Sequence, residues 1–135
     1  MRIGMRASAR LRRRRDERGA SGVEFLVMAT VLIGLFTILV QFGINFHAQR
    51  VAEAAAREGA VEAARWDGSA GAGSRTAKEY VTEDGAPAVT GSTVSASRSG
   101  TQARVTVTVE VVSIMGWLDD PIASTAIAPV ERFVE

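Results

Sequence analysis

Between Glu24 and Arg50 the chain carries no formal charge, and residues 25–46 are dominated by Leu, Val, Ile and Phe. As a helix, this run extends about 33 Å at ~1.5 Å per residue, enough to cross a ~30 Å hydrocarbon core. The pattern then changes to a ladder of small residues at i+4 spacing: Ala48, Ala52, Ala56, Ala60 and Ala64, flanked by Ala55, Gly59 and Ala63. Such spacing keeps one ridge on one side of a helix. The helix is therefore expected to continue past the apolar run to Trp66, with a ridge that lets another backbone approach closely. Glu53 with Arg57 and Glu62 with Arg65 stand at helical pairing distances, which supports the same reading.

Beyond the ladder, Gly68, Ser69, Ala70, Gly71, Ala72, Gly73 and Ser74 read as a flexible linker. A short helix is expected over 75–84, with Tyr80 and Val81 facing inward, closed by Gly85, Ala86 and Pro87. Residues 89–98 and 103–112 read as strands. In the second, Val105, Val107, Val109 and Val111 alternate strictly with Arg104, Thr106, Thr108 and Glu110, the period of a half-buried strand. Ser99, Gly100 and Thr101 supply a hairpin turn. A third strand from Ser124 toward Phe133 fits only with Pro129 at an edge or bulge. The expected fold class is α+β: a long N-terminal helix, then a small domain with a short helix and two or three antiparallel strands. The divisions are a leader at 1–19, a transmembrane helix at 20–46, a helical extension at 47–66, a linker at 67–74 and a small domain at 75–135. Trp66 is too far beyond the apolar run for the near membrane interface and is expected to plug the small domain onto the helix.

Charge sharpens this picture. The whole chain has a formal net charge of +1, but residues 1–19 hold eight Arg against Asp16 and Glu17, a net of +6, leaving −5 for residues 20–135. The positive-inside tendency then keeps the Arg-rich end in the cytoplasm and sends the acidic remainder to the other side of the membrane. Arg12, Arg13, Arg14 and Arg15 abut the span without an aromatic or further basic cluster, so topology accounts for them and nucleic acid is not an expected partner. A cleaved secretory signal would have an apolar region of only ~7–15 residues, shorter than this one. The absence of cysteine excludes a disulfide or thiolate metal site, and leaves a small domain dependent on packing against its own helix or on other subunits.

The glutamate at the mouth of the span is the most informative charge, because a carboxylate there is unfavourable unless paired or held near the headgroups. Gly19 is followed by Ala20, Ser21, Gly22 and Val23, then Glu24 and Phe25. A cut after Gly19 would give Ala20 a new α-amino group, with Glu24 about 6 Å further along the same helix. This arrangement resembles the processing site of type IV prepilins. Together with the Ala-rich extension through Arg57, Glu58 and Gly59, it is similar to the TadE-like pseudopilins of tight-adherence (Flp) pilus systems, over residues 18–66. The resemblance implies a minor pilin or pseudopilin cut by a prepilin peptidase between Gly19 and Ala20. Glu24 and Phe25 would set assembly register, with Glu24 paired to a neighbour's amino terminus. It implies a hetero-oligomeric assembly with other pilins and the pilus platform. Some ninety residues beyond the span, and no cysteines, separate this chain from the very short major pilins and favour a minor component.

Catalytic equipment is not evident. His47, the sole histidine, makes neither a zinc site nor a triad. Ser95, Ser97 and Ser113 lack a nucleophile-elbow pattern. Asp119 and Asp120 before Pro121 have no calcium-loop continuation and read as a turn, and Gly71 to Ser74 lack the Lys of a phosphate loop. The expectation is a non-enzyme without metal or cofactor. The reading from another class is an uncleaved single-pass anchor displaying a small ligand-binding or sensory domain.

Overall fold

In the computed structural model, residues 4–117 and 120–132 are described, with side chains from Gly19 onward. The elements are α1 (Gly4–Ala64), α2 (Ala70–Asp84), β1 (Val89–Arg98), β2 (Gln102–Val111) and β3 (Ile122–Pro129). The chain divides into two units, Met1–Leu39 and Val40–Glu135. The α+β expectation holds: a long apolar N-terminal helix, a second short helix and an antiparallel sheet of three strands in the order β1-β2-β3.

Within the first unit, the described side chains of α1 are almost all exposed. Val23, Phe25, Leu26, Val31, Ile33 and Leu39 each leave more than half of their surface uncovered. Two hydroxyls in this stretch are satisfied inside the helix, Thr30 Oγ1 donating to Leu26 O at 2.8 Å and Thr37 Oγ1 to Ile33 O at 2.9 Å. Bonding back to the i−4 carbonyl is how a hydroxyl is accommodated where no water is present.

The second unit is built on the alanine ladder. Ala48, Ala52, Ala56, Ala60 and Ala64 are all buried, with Val51 and Ala55 beside them. All of these except Ala64 form one core with Ala77 and Val81 of α2 and Val105, Val107 and Val109 of β2. The alternation seen in the sequence thus places the β2 valines against the helices, each contributing about 1.5–3 kcal/mol by leaving water, while Thr106 and Thr125 meet on the outer face at 2.8 Å. In the hairpin between β1 and β2, Ser99 Oγ accepts from the backbone N–H groups of Thr101 and Gln102. A register shift between Val89 and Gly91 bends the start of β1. β3 is an edge strand that ends at Pro129, so the proline sits where no further ladder bond is required; Phe133 lies outside the described residues.

Two expectations change. The segment 70–74 is not linker but the first turns of α2, capped by Ser69, whose Oγ accepts from Ala72 N at 3.1 Å. Glycine is about 1 kcal/mol worse than alanine inside a helix, yet tertiary packing requires it here. A Cβ on Gly59 would stand 2.7 Å from Gly73 O, and one on Gly73 would stand 2.7 Å from Ala63 Cβ. The two helix backbones cross where neither has a side chain. Trp66 is not a buried plug: α1 ends at Ala64 and the residue is 65% exposed. The end of α1 is instead closed by Arg98 of β1, whose Nη1 donates to Ala63 O at 2.9 Å and also to Gly68 O, and by Glu131 N, which donates to Ala64 O at 3.0 Å. These partners satisfy carbonyls that a helix C-terminus leaves orphaned.

Candidate functional site

Gly19, Ala20, Glu24 and Phe25 lie in regular α-helix, and all four side-chain positions are exposed. Ala20 and Glu24, being i and i+4, share one face of α1. A Cβ added at Gly19 would meet nothing within 4 Å, so the chain itself does not demand glycine there. Phe25 is 72% exposed, and the described apolar window above it has no part buried by the protein. The carboxylate therefore stands at the start of a helix surface that the described residues leave exposed. The side chains of 12–15, the basic cluster, lie outside the described residues.

The ladder is placed differently. Ala48, Ala52, Ala56 and Ala60 face the core of their own unit, and Ala64 packs with Ala63 and Ala103 in a smaller cluster. The close approach that small residues allow is made by α2 and β2 of the same chain.

One polar residue within the apolar run was not singled out from the sequence. Gln41 is 2% exposed and fully engaged: Nε2 donates to Asn45 Oδ1 at 3.0 Å and to Val112 O at 3.1 Å, while Oε1 accepts from Ile114 N at 2.8 Å. The available signal was its spacing, since Gln41 lies seven residues before Ala48 and extends the ladder two turns into the apolar run. His47, by contrast, is exposed and its Nε2 lies 3.1 Å from Asp84 O, so α1 also meets the end of α2. Val40, Gly43, Ile44 and His47 with Ala88 and Val112 line an apolar groove of about 580 Å³. Glu62 and Arg65 form the expected pair at 3.1 Å. Asp119 lies outside the described residues, so its turn is not described.

The decisive comparison concerns the helix that carries these residues. Residues 19–61 match the family described as TadE-like protein. No curated protein and no solved structure matches the chain. The TadE-like segment begins at Gly19 and includes Glu24, Gln41 and four of the five ladder alanines, so the match covers both the exposed apolar helix and the part of α1 that forms the core. The apolar helix and the TadE-like match together place the protein at a membrane. The small sheet lies beyond the matched residues.

Proposed function

We propose that this protein is the precursor of a minor pilin or pseudopilin that takes part in assembling a tight-adherence, type IV-like pilus. The observation that carries the reading is one carboxylate, Glu24, five residues after Gly19 at the start of an apolar helix surface that its own chain leaves uncovered. The TadE-like match over 19–61 supports involvement in such a pilus. In this mechanism a membrane prepilin peptidase cuts between Gly19 and Ala20. The mature helix then docks laterally against other pilins at the assembly platform, and Glu24 pairs with a neighbour's new amino terminus while Phe25 packs beside it. An unpaired ion in such a contact costs several kcal/mol, so mutual neutralisation fixes the axial register. The protein acts by assembly, not by turnover.

Co-expression with a cognate prepilin peptidase tests the cut and the docking charge separately. Removal of residues 1–19, giving a mature chain that starts at Ala20, is expected, and Gly19→Ala should retard it. Because Gly19 has open space around it, a retarded cut would reflect the peptidase's demand rather than damage to the fold. Glu24→Leu should still insert and still be cut, but its co-purification with partner pilins should fall. A mature chain with another first residue overturns the Gly19–Ala20 assignment, and an intact one returns the protein to the uncleaved-anchor reading; undiminished co-purification removes Glu24 from the docking contact.

A further inference from the structure

We infer that residues 112–117, which follow β2, form a membrane-contacting element, with Ile114 and Trp117 seated at the headgroup–acyl boundary on the side of the bilayer that holds the second unit. The inference starts from Gln41. Through Val112 O and Ile114 N, this one side chain holds the loop backbone against α1. Gln41 is not beyond the apolar run but five residues inside its end at Phe46, about 7.5 Å of helix. A ~30 Å hydrocarbon core takes about 20 helical residues, so one that begins at Phe25 reaches past Gln41 to about Ile44. Helical side chains lean toward the N-terminus, so what Gln41 holds lies level with its Cα or closer to the membrane.

The loop is built for that depth. Gly116 N donates to Ser113 Oγ at 3.0 Å and Gly116 adopts a left-handed φ of 64°, closing a tight turn. The turn presents Ile114 at 52% exposure and Trp117 at 74%, above even Phe42 of the apolar run. Two of its backbone polar groups, Val112 O and Ile114 N, are satisfied by Gln41, and Val112 N donates to Ala88 O, as low-dielectric surroundings require. Tryptophan, an apolar ring with one polar N–H, is the residue that membrane interfaces enrich. The outer face of the sheet instead carries Arg104, Thr106, Thr108 and Glu110, which suit water. The occupant that fits the loop is therefore phospholipid, not solvent.

This inference rests on residues 25–46 as a membrane span and needs neither leader cleavage nor a partner pilin, so its failure would leave the assembly reading standing. The test uses the full chain carrying Trp66→Phe, so that Trp117 alone emits, in phosphatidylcholine vesicles. Lipid brominated near the top of the acyl chain should remove most of the Trp117 emission, lipid brominated near the chain end much less, and aqueous iodide little. Adding Gln41→Leu should release the loop, raising iodide quenching and lowering quenching by the shallow bromines. Iodide quenching equal to that of a free tryptophan amide would overturn the proposal. So would protection from both quenchers, which would mean that protein, such as a second copy, covers the ring, or an unaltered profile in the folded Gln41→Leu variant.

Discussion

A single added methyl group separates Gly73 from Gly19 and Gly34, both of which stand in open space. At Gly34 an added Cβ meets nothing within 4 Å, and alanine improves helix propensity by about 1 kcal/mol, so Gly34→Ala should leave stability unchanged or slightly raised. At Gly73 the same propensity gain is opposed by contact with the Gly59 carbonyl and with Ala63 Cβ at 2.7 Å, a gap that real side chains do not tolerate. Overpacking of this kind costs about 1–3 kcal/mol, occasionally more, so the clash outweighs the propensity gain. Thermal unfolding of the two purified variants in detergent should show Gly73→Ala melting several degrees below wild type and Gly34→Ala not below it. A Gly73→Ala protein as stable as wild type would mean that α2 shifts freely on α1, contrary to a tight crossing. Gly19→Ala, in open space, should change cutting and not melting.

At the scale of elements, the alanine ladder marks where regularity along the chain served well and where it was silent. A period of four located a close-packed ridge, and a period of two located the buried face of β2 with Val105, Val107 and Val109. What neither period carries is the identity of the partner: the ridge fits a neighbouring subunit's helix as well as its own sheet, and only the tertiary arrangement selects the sheet. Local propensity failed at 70–74 because Gly73 is chosen for a backbone crossing, a non-local demand that looks like flexibility in sequence. Gln41 was hidden for a related reason, since its hydrogen-bond partners at Val112 and Ile114 stand about seventy residues away. The pattern of Gly19, Glu24 and Phe25 could be read from the sequence because its members are close together in it. Ala56→Leu tests the internal assignment of the ladder. It inserts a bulky side chain at a site with no exposed surface, so the second unit should lose about 1–3 kcal/mol or more and become protease-sensitive before any partner is added. A variant that keeps its melting temperature and protease resistance but fails to bind other pilins would place the ridge at a subunit interface instead.

For the whole molecule the governing asymmetry is electrical. Residues 1–19 carry a net of +6 and residues 20–135 a net of −5, the apolar helix standing at the start of the second stretch. Retention of Lys and Arg on the cytoplasmic side sets the orientation of a single-span protein, whereas Asp and Glu contribute little. On this principle the arginines of residues 1–19, and not the acids of the second unit, are expected to orient the chain. With no cysteine, the integrity of that unit depends on the valine and alanine core and is indifferent to the redox state of the compartment. A reporter that is active only outside the cytoplasm, fused after Glu135, should be active in wild type. Replacing Arg12, Arg13, Arg14 and Arg15 by Asn reduces the leader from +6 to +2 and should divert a measurable share of the chains to the opposite orientation, read as reporter activity lost per inserted molecule. Replacing Glu53, Glu58, Glu62 and Glu79 by Gln removes a similar charge from the other side and should leave the orientation as it was. If the acid replacements invert the chain as readily as the arginine replacements, net charge across the span sets the topology, and the leader loses its special part in it.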